Sequence, residues 1–284
     1  MKTKVILAAL ALGAAFASSA ASAQSVEFRA VEEKNLANGK QTLDPAKAYI
    51  FVRFPGRMNG LFFKQPDAGE LTEYEAEWRE KLAKEIRDFP KDHARWVRDK
   101  EFNEKLSRKK TMPPEPVMPT EETFRIEDIE LRMRVGFGPQ YIYSKGDGEF
   151  TYVIEVEPGT YTYYGPIFAA PNGSAAGTCF CMGSIKFDAP AGQVTSLGDL
   201  LAMQWMTREQ AAATSIDYKG EVFEKPVDYS VPASLAALPA RPAELRAAGK
   251  MNNYFGVMIG RMPPMPGILE YDRGRVIDPK ASAP

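Results

Sequence analysis

The chain has 284 residues, with 36 Lys and Arg, 37 Asp and Glu, one His and two Cys. One His excludes a His-cluster metal site and leaves His93 as the only imidazole for a Ser–His or Cys–His mechanism; two Cys allow one disulfide at most, so this is not a disulfide-stapled mini-fold. A net charge of −1 carries no electrostatic footprint for nucleic acid, and 44% hydrophobic content is enough for a packed core.

The N-terminus reads as an address. Lys2 and Lys4 precede an apolar stretch from Val5 to Phe16, and Ala21-Ser22-Ala23 supplies the small-residue pattern for cleavage between Ala23 and Gln24. A membrane span needs about 20 apolar residues, and Ser18, Ser19 and Ser22 interrupt this one. Residues 1–23 are therefore predicted to be a cleaved Sec-type signal peptide, with no membrane span after cleavage. The expected location is periplasmic or secreted, where disulfides persist.

In chain order, Ala48 to Phe54 is β-branched and aromatic, and Leu61-Phe62-Phe63 follows the turn-prone Pro55-Gly56 and Asn59-Gly60. The next segment is different. Asp67 and Glu70 stand at capping-box spacing, and Tyr74, Trp78, Leu82 and Ile86 form an apolar stripe at helical spacing. Pro90 is expected to break that helix, and Ala94, Val97, Phe102 and Leu106 mark a second one. Asp67 to Pro90 carries eight acidic and four basic residues, whereas Lys91 to Lys110 carries eight basic and four acidic. Two antiparallel helices of opposite charge are predicted, returning through Pro113, Pro114, Pro116 and Pro119. Such a hairpin either grips a partner or lies on the sheet.

Strand patterns then resume. Ile129, Leu131, Met133 and Val135 alternate with polar residues, and Tyr141–Tyr143, Tyr152–Val156 and Tyr161–Tyr164 continue the series. Pro158-Gly159 reads as a type II turn between Ile154–Val156 and Tyr161. Ile185–Phe187, Asp188–Gly192 and Val194–Leu200 repeat the strand, turn, strand order, so both read as hairpins. Pro242–Gly249 looks like a short helix, and Ile268–Tyr271 and Val276-Ile277 like a final pair of strands around Asp272-Arg273-Gly274. The expected fold is mainly β. It is an antiparallel β-sandwich core (24–66 and 120–232) with a helical hairpin insertion and Pro-rich return (67–119) and a mixed C-terminal extension (233–284).

Pro158-Gly159-x-Tyr161 and, further on, Phe187-x-x-x-Ala191-Gly192-x-Val194-x-x-Leu197-Gly198 resemble exported bacterial envelope proteins with a transthyretin-like or carboxypeptidase-regulatory-like β-sandwich module. The resemblance spans about residues 150–201. It implies a structural or binding role and brings no catalytic residue with it.

Candidate chemistry is sparse. Cys179 and Cys181 would lie about 6.5–7 Å apart on a regular strand, at the limit for a disulfide. They either close a tight local disulfide, remain thiols, or serve a copper or redox site with Met182 and the later Met203, Met206, Met258, Met262 and Met265 as soft ligands. His93 sits in a highly charged helical context, a poor setting for a catalytic base. Ser174 lacks the Gly-x-Ser-x-Gly spacing of a nucleophile elbow. No phosphate-cradling glycine loop occurs, and no cofactor is implied. A carboxylate-pair hydrolase needs only two acids brought together in space, and nothing selects them. Tyr141, Tyr143, Tyr152, Tyr161, Tyr163 and Tyr164 crowd into 24 residues; they form either an aromatic platform for a glycan or an envelope protein, or ordinary cross-strand pairs. The expected function is a non-enzymatic structural or binding role at the cell envelope, with a carbohydrate-active or other acidic hydrolase as the alternative and a copper or redox protein as the weaker one.

Overall fold

The computed structural model describes residues 25–106, 110–146, 148–170, 173–202 and 226–281. The first half holds β1 (Phe28–Val31), α1 (Glu33–Ala37), β2 (Ala48–Phe54), β3 (Gly60–Lys64), α2 (Ala68–Glu104), α3 (Ile129–Arg132) and β4 (Arg134–Phe137). The centre holds β5 (Ser144–Gly146), β6 (Glu149–Val156), β7 (Gly159–Gly165), β8 (Ile167–Ala169), β9 (Ala175–Cys179), β10 (Ser184–Ala189) and β11 (Val194–Gly198). Near the C-terminus come β12 (Ala240–Pro242), β13 (Arg246–Ala248), β14 (Met258–Ile259), β15 (Glu270–Asp272) and β16 (Arg275–Ile277). Among the described residues no helix is long and apolar enough to cross a membrane.

Two sheets stack as a sandwich, so the mainly β expectation holds. One sheet runs β1-β6-β2-β11-β12, with β5 also paired to β6; the other runs β13-β10-β7-β3-β4. A smaller sheet, β14-β9-β8, and the β15–β16 ribbon flank them. Pairing is antiparallel except where β11 runs parallel to β2 and β12, and β14 to β9.

The alternation along each strand explains the layers. Ile50, Val52, Phe54, Tyr152, Ile154 and Val156 of the first sheet meet Phe62, Val135, Phe137, Tyr161, Tyr163, Ile185 and Phe187 of the second in one core. The intervening residues are also apolar. Tyr49, Phe51, Val153 and Val194 are covered by Leu36 of α1 and by Leu43, Val231, Leu235 and Leu238. Leu61, Phe63 and Tyr164 are covered by the Cys179–Cys181 loop and by Met251, Tyr254, Phe255 and Val257. A strand buried on both faces reads as a continuous apolar run, as Ala48–Phe54 does.

The structure corrects several expectations. Pro158-Gly159 does turn the chain, but β6 and β7 land in different sheets, and so do β10 and β11. These connections are arches between sheets, not hairpins. Period-2 alternation cannot distinguish the two, because inward-facing residues reach the same core either way. Ile129–Arg132 is one helical turn before β4, and Tyr141–Tyr143 is not a strand. The segment read as a helix at Pro242–Gly249 instead supplies the last residue of β12 and all of β13, which join the edges of the two main sheets. Residues 240–248 of the predicted extension are therefore part of the sandwich, while β14 joins the small sheet and β15–β16 form their own ribbon.

The predicted helical hairpin is a single helix with an extended return. The capping box forms as expected: Asp67 accepts from Glu70 N at 2.8 Å, and Glu70 accepts from Asp67 N at 2.9 Å. Helix α2 then continues through Pro90 for 37 residues, about 55 Å. Pro inside a helix removes one main-chain bond, at a cost of about 3 kcal/mol or more. The return segment braces the helix beyond the proline. Asn103 bonds both backbone groups of Lys110, Trp96 Nε1 donates to Pro113 O at 2.9 Å, and His93 Nε2 lies 2.9 Å from Glu115. Trp78 packs on Phe124. The foot of α2 is fastened by Tyr74 and Leu82 and by a buried ion pair, Glu77 Oε2 to Arg132 Nη1 at 2.5 Å.

Candidate functional site

A cavity of about 550 Å³ opens at one side of the sandwich. Its walls come from β1 (Phe28, Arg29, Ala30), β4 (Arg134, Gly136, Phe137) and β8 (Ile167, Phe168, Ala169), with Tyr152 and Ile154 of the core at its floor. Each of these three strands is the end member of its sheet. Phe28, Phe168 and Tyr141 on the rim are about half exposed, at 47%, 50% and 59%. This volume falls in the range of small-molecule and peptide pockets.

The strand registers decide where the edge peptide groups point. Lys64 N donates to Met133 O at 2.9 Å, so Phe62↔Val135 and Gly60↔Phe137 are the bonded pairs of β3–β4. Arg134 and Gly136 then direct their N–H and C=O away from β3, toward the cavity. On β8 the Ala170 N to Ser174 O bond makes Phe168↔Ala176 a bonded pair, so Ile167 and Ala169 point outward. The β1 edge is closed by Gln41, which donates to Ala30 O and accepts from Glu32 N, both at 3.0 Å.

The rim charges are unevenly matched. Arg29 donates to Glu155 at 2.8 Å, and Glu32 pairs with Lys34 at 2.6 Å. Arg134 is half exposed and its closest carboxylate in an ion pair is Glu127, at 3.9 Å. Glu155 also accepts from the Tyr49 hydroxyl at 3.0 Å, and burial together with this carboxylate pushes the Tyr49 phenol up to about 12. The cavity lining contains one carboxylate, Glu32, whereas acid–base hydrolysis of a glycoside uses two.

Most of the sequence-selected residues serve the fold. Tyr143, Tyr152, Tyr161, Tyr163 and Tyr164 are all buried, so the six tyrosines do not form a surface platform; only Tyr141 is exposed. Tyr152 and Tyr141 nevertheless line the cavity, one from below and one at the rim. The Tyr161 hydroxyl donates to Glu157 O at 2.5 Å, and the Tyr164 hydroxyl to Asn252 O at 2.9 Å.

Cys179 and Cys181 form a disulfide with their Cα atoms 5.1 Å apart. This is closer than a regular strand allows because β9 ends at Cys179 and the chain turns there. Both cysteines face the outer cluster, while Phe180 between them points into the main core. The disulfide occupies both sulfurs that a copper site would need. Met262 and Met265 are core residues, and Met203 and Met206 lie outside the described residues. His93 is on the distal half of α2, far along the chain from the cavity-lining residues. Ser174 follows β8 on the way to β9. The proposed cleavage point, Ala23 and Gln24, lies outside the described residues.

The lining residues Phe28, Ala30, Gly136 and Phe168 were not selected by sequence. Val26-x-Phe28-x-Ala30 does alternate, and that is the signal from which β1 was legible. Searches of protein-family models, curated proteins and solved structures find no match to this chain.

Proposed function

We propose that this chain is an exported, non-enzymatic β-sandwich protein that binds a partner at the cell envelope through the lateral cavity. The observation that carries the reading is the cavity itself, an apolar hollow reaching the core side chains Tyr152 and Ile154 under a rim of half-exposed aromatics. Exposed apolar surface that is rimmed by polar groups marks an interaction site. The leader-like N-terminus and a disulfide that suits an oxidising compartment support export. The local resemblance to transthyretin-like and carboxypeptidase-regulatory-like modules agrees with a binding role. Glu32 as the single carboxylate of the lining favours binding over hydrolysis.

Two experiments test this. Fractionation of cells expressing the whole chain is expected to place the protein in the periplasm or medium with Gln24 as its first residue. A photo-crosslinking amino acid at Tyr141 is expected to capture an envelope component, and filling the hollow with Gly136→Val is expected to abolish that product. A cytoplasmic, uncleaved protein would overturn export. Crosslinks that persist unchanged in the Gly136→Val background would overturn the cavity as the binding site.

A further inference from the structure

Building on the cavity as a binding site, we propose that its occupant is an extended segment of a partner protein, which adds as a strand to the free edge of β4. Its alternate apolar side chains enter the hollow, and an acidic side chain lies beside Arg134.

Three independent features point to a polypeptide strand. The first is main-chain complementarity. Arg134 and Gly136 present N–H and C=O groups in strand register to the cavity, and among the described residues these groups have no protein partner beyond β3. A row of such groups is a template for another strand. An apolar small molecule would leave them unused. The second is shape. β8 faces the same hollow with the outward groups of Ile167 and Ala169, so the cavity is a slot between strand edges. The four residues of β4 suit a short segment.

The third feature is charge. Arg29 is matched by Glu155 at 2.8 Å and Glu32 by Lys34 at 2.6 Å, whereas Arg134 has the longest rim ion pair, to Glu127 at 3.9 Å. An incoming strand with an acidic residue opposite β4 would meet that guanidinium directly. Cross-strand pairs of opposite charge favour this register.

The test uses the mature full chain and a fluorescein-labelled octapeptide with threonine at every second position and three valines and one aspartate between them, so that aspartate shares the valine face as Arg134 shares the face of Gly136. Saturable binding by fluorescence anisotropy is expected. Methylating the amide nitrogens of one alternate set of peptide residues removes the bonds to β4 and is expected to weaken binding at least about tenfold, since each lost bond is worth about 0.5–1.5 kcal/mol. Methylating the other set leaves binding within about twofold, because those amides point away from β4. Arg134→Glu is expected to weaken binding about three- to fivefold, the scale of an exposed ion pair, and a peptide carrying lysine in place of aspartate restores it.

Equal effects of the two methylated sets would overturn strand addition, as would no recovery with the lysine peptide. If dodecanoate binds and the octapeptide does not, the cavity takes an amphiphile and the strand proposal falls while the cavity-binding reading stands. If neither probe binds and Tyr141 crosslinks are insensitive to Gly136→Val, both readings fall.

Discussion

A buried ion pair helps fasten α2 to the sandwich beside Tyr74, Leu82 and the Lys64–Glu70 contact, and breaking it has a calculable consequence. Glu77 accepts from Arg132 Nη1 at 2.5 Å and Nη2 at 3.3 Å, and both side chains are 7% exposed. The guanidinium also lies over the Tyr74 ring, 5.2 Å from its centroid. Replacing Glu77 with Ala leaves a charged guanidinium that is only 7% exposed. Removing one partner of a buried pair costs about 3–5 kcal/mol. Glu127, 3.8 Å from Arg132 and half exposed, takes over part of the pairing, which places the expected loss near the lower end, about 3 kcal/mol. Glu77→Met combined with Arg132→Met removes both charges and is expected to lose less than about 1 kcal/mol, because exchanging a whole buried pair for apolar groups is often neutral. Urea unfolding of the mature chain, followed by tryptophan fluorescence and far-ultraviolet circular dichroism, measures both differences from the midpoints at constant slope. A loss below about 1 kcal/mol for Glu77→Ala would refute the reasoning. So would a double variant as unstable as the single one.

The distal arm is expected to be dispensable: deleting 87–118 and joining Ile86 to Pro119 through a short Gly-Ser linker should keep the sandwich's circular dichroism and unfolding midpoint, and a collapse of the near-ultraviolet signal would count against it. Replacing both Cys179 and Cys181 with Ala should cost only about 1.5 kcal/mol in loop entropy, because the closed loop is so short; a loss in unfolding free energy from urea titration of more than twice that amount would show that the bridge does more than lock Phe180 into the core. Alkaline pH should destabilise the fold between about 10 and 12. Burial pushes the phenols of Tyr49, Tyr254 and Tyr271 up to about 12, so the folded chain keeps protons that the unfolded chain has lost. Stability is intact below the unfolded tyrosine range near 10 and declines above it. Absorbance at about 295 nm should show phenolate forming later in native than in urea-unfolded protein, and coincident titrations would contradict the burial argument.

The sequence made the strands legible where alternation and turns agreed, and illegible where a tertiary partner overrode the local rule. β2, β3, β6, β7 and β10 and the β15–β16 ribbon lie where apolar patterning put them. Pro90 reads as a stop because the local cost is real. What offsets it is the return segment, where the Pro113 carbonyl accepts from Trp96 and Glu115 meets His93, joining residues 17 and 22 apart in sequence. The helix predicted after Pro242 failed for a similar reason: Ala, Leu and Arg suit a helix, but the open edges of β10 and β11 recruit those residues as strands. The tyrosine cluster was visible but ambiguous, since aromatic alternation describes an exposed face and a doubly covered sheet equally well. The cavity was hidden because its walls come from three strands far apart in the sequence, β1, β4 and β8, and its open space lies beside glycine and alanine positions, which leave no hydrophobic signal.

One of those small residues supplies the sharpest test of whether the hollow is kept for a purpose. Gly60 is needed by the packing, since a Cβ there would sit 2.6 Å from the Phe137 ring. Gly138 is needed by the backbone, with φ at +66° and a would-be Cβ 1.7 Å from Met58 O. Gly136 has neither excuse. It is not among the positive-φ glycines, and a Cβ would meet only Leu61 at 3.4 Å and Gly60 O at 4.0 Å, ordinary contacts. Glycine inside a strand is destabilising by about 0.5–1 kcal/mol, and valine is among the best strand formers. Gly136→Val should therefore raise stability by about 0.5–1 kcal/mol and keep the edge N–H, while its side chain occupies the hollow beside Leu61. The expected pairing is a higher urea midpoint with lost octapeptide binding. A variant that is destabilised would mean that the fold itself requires glycine there. One that is stabilised and still binds would mean that the hollow is not where the peptide goes.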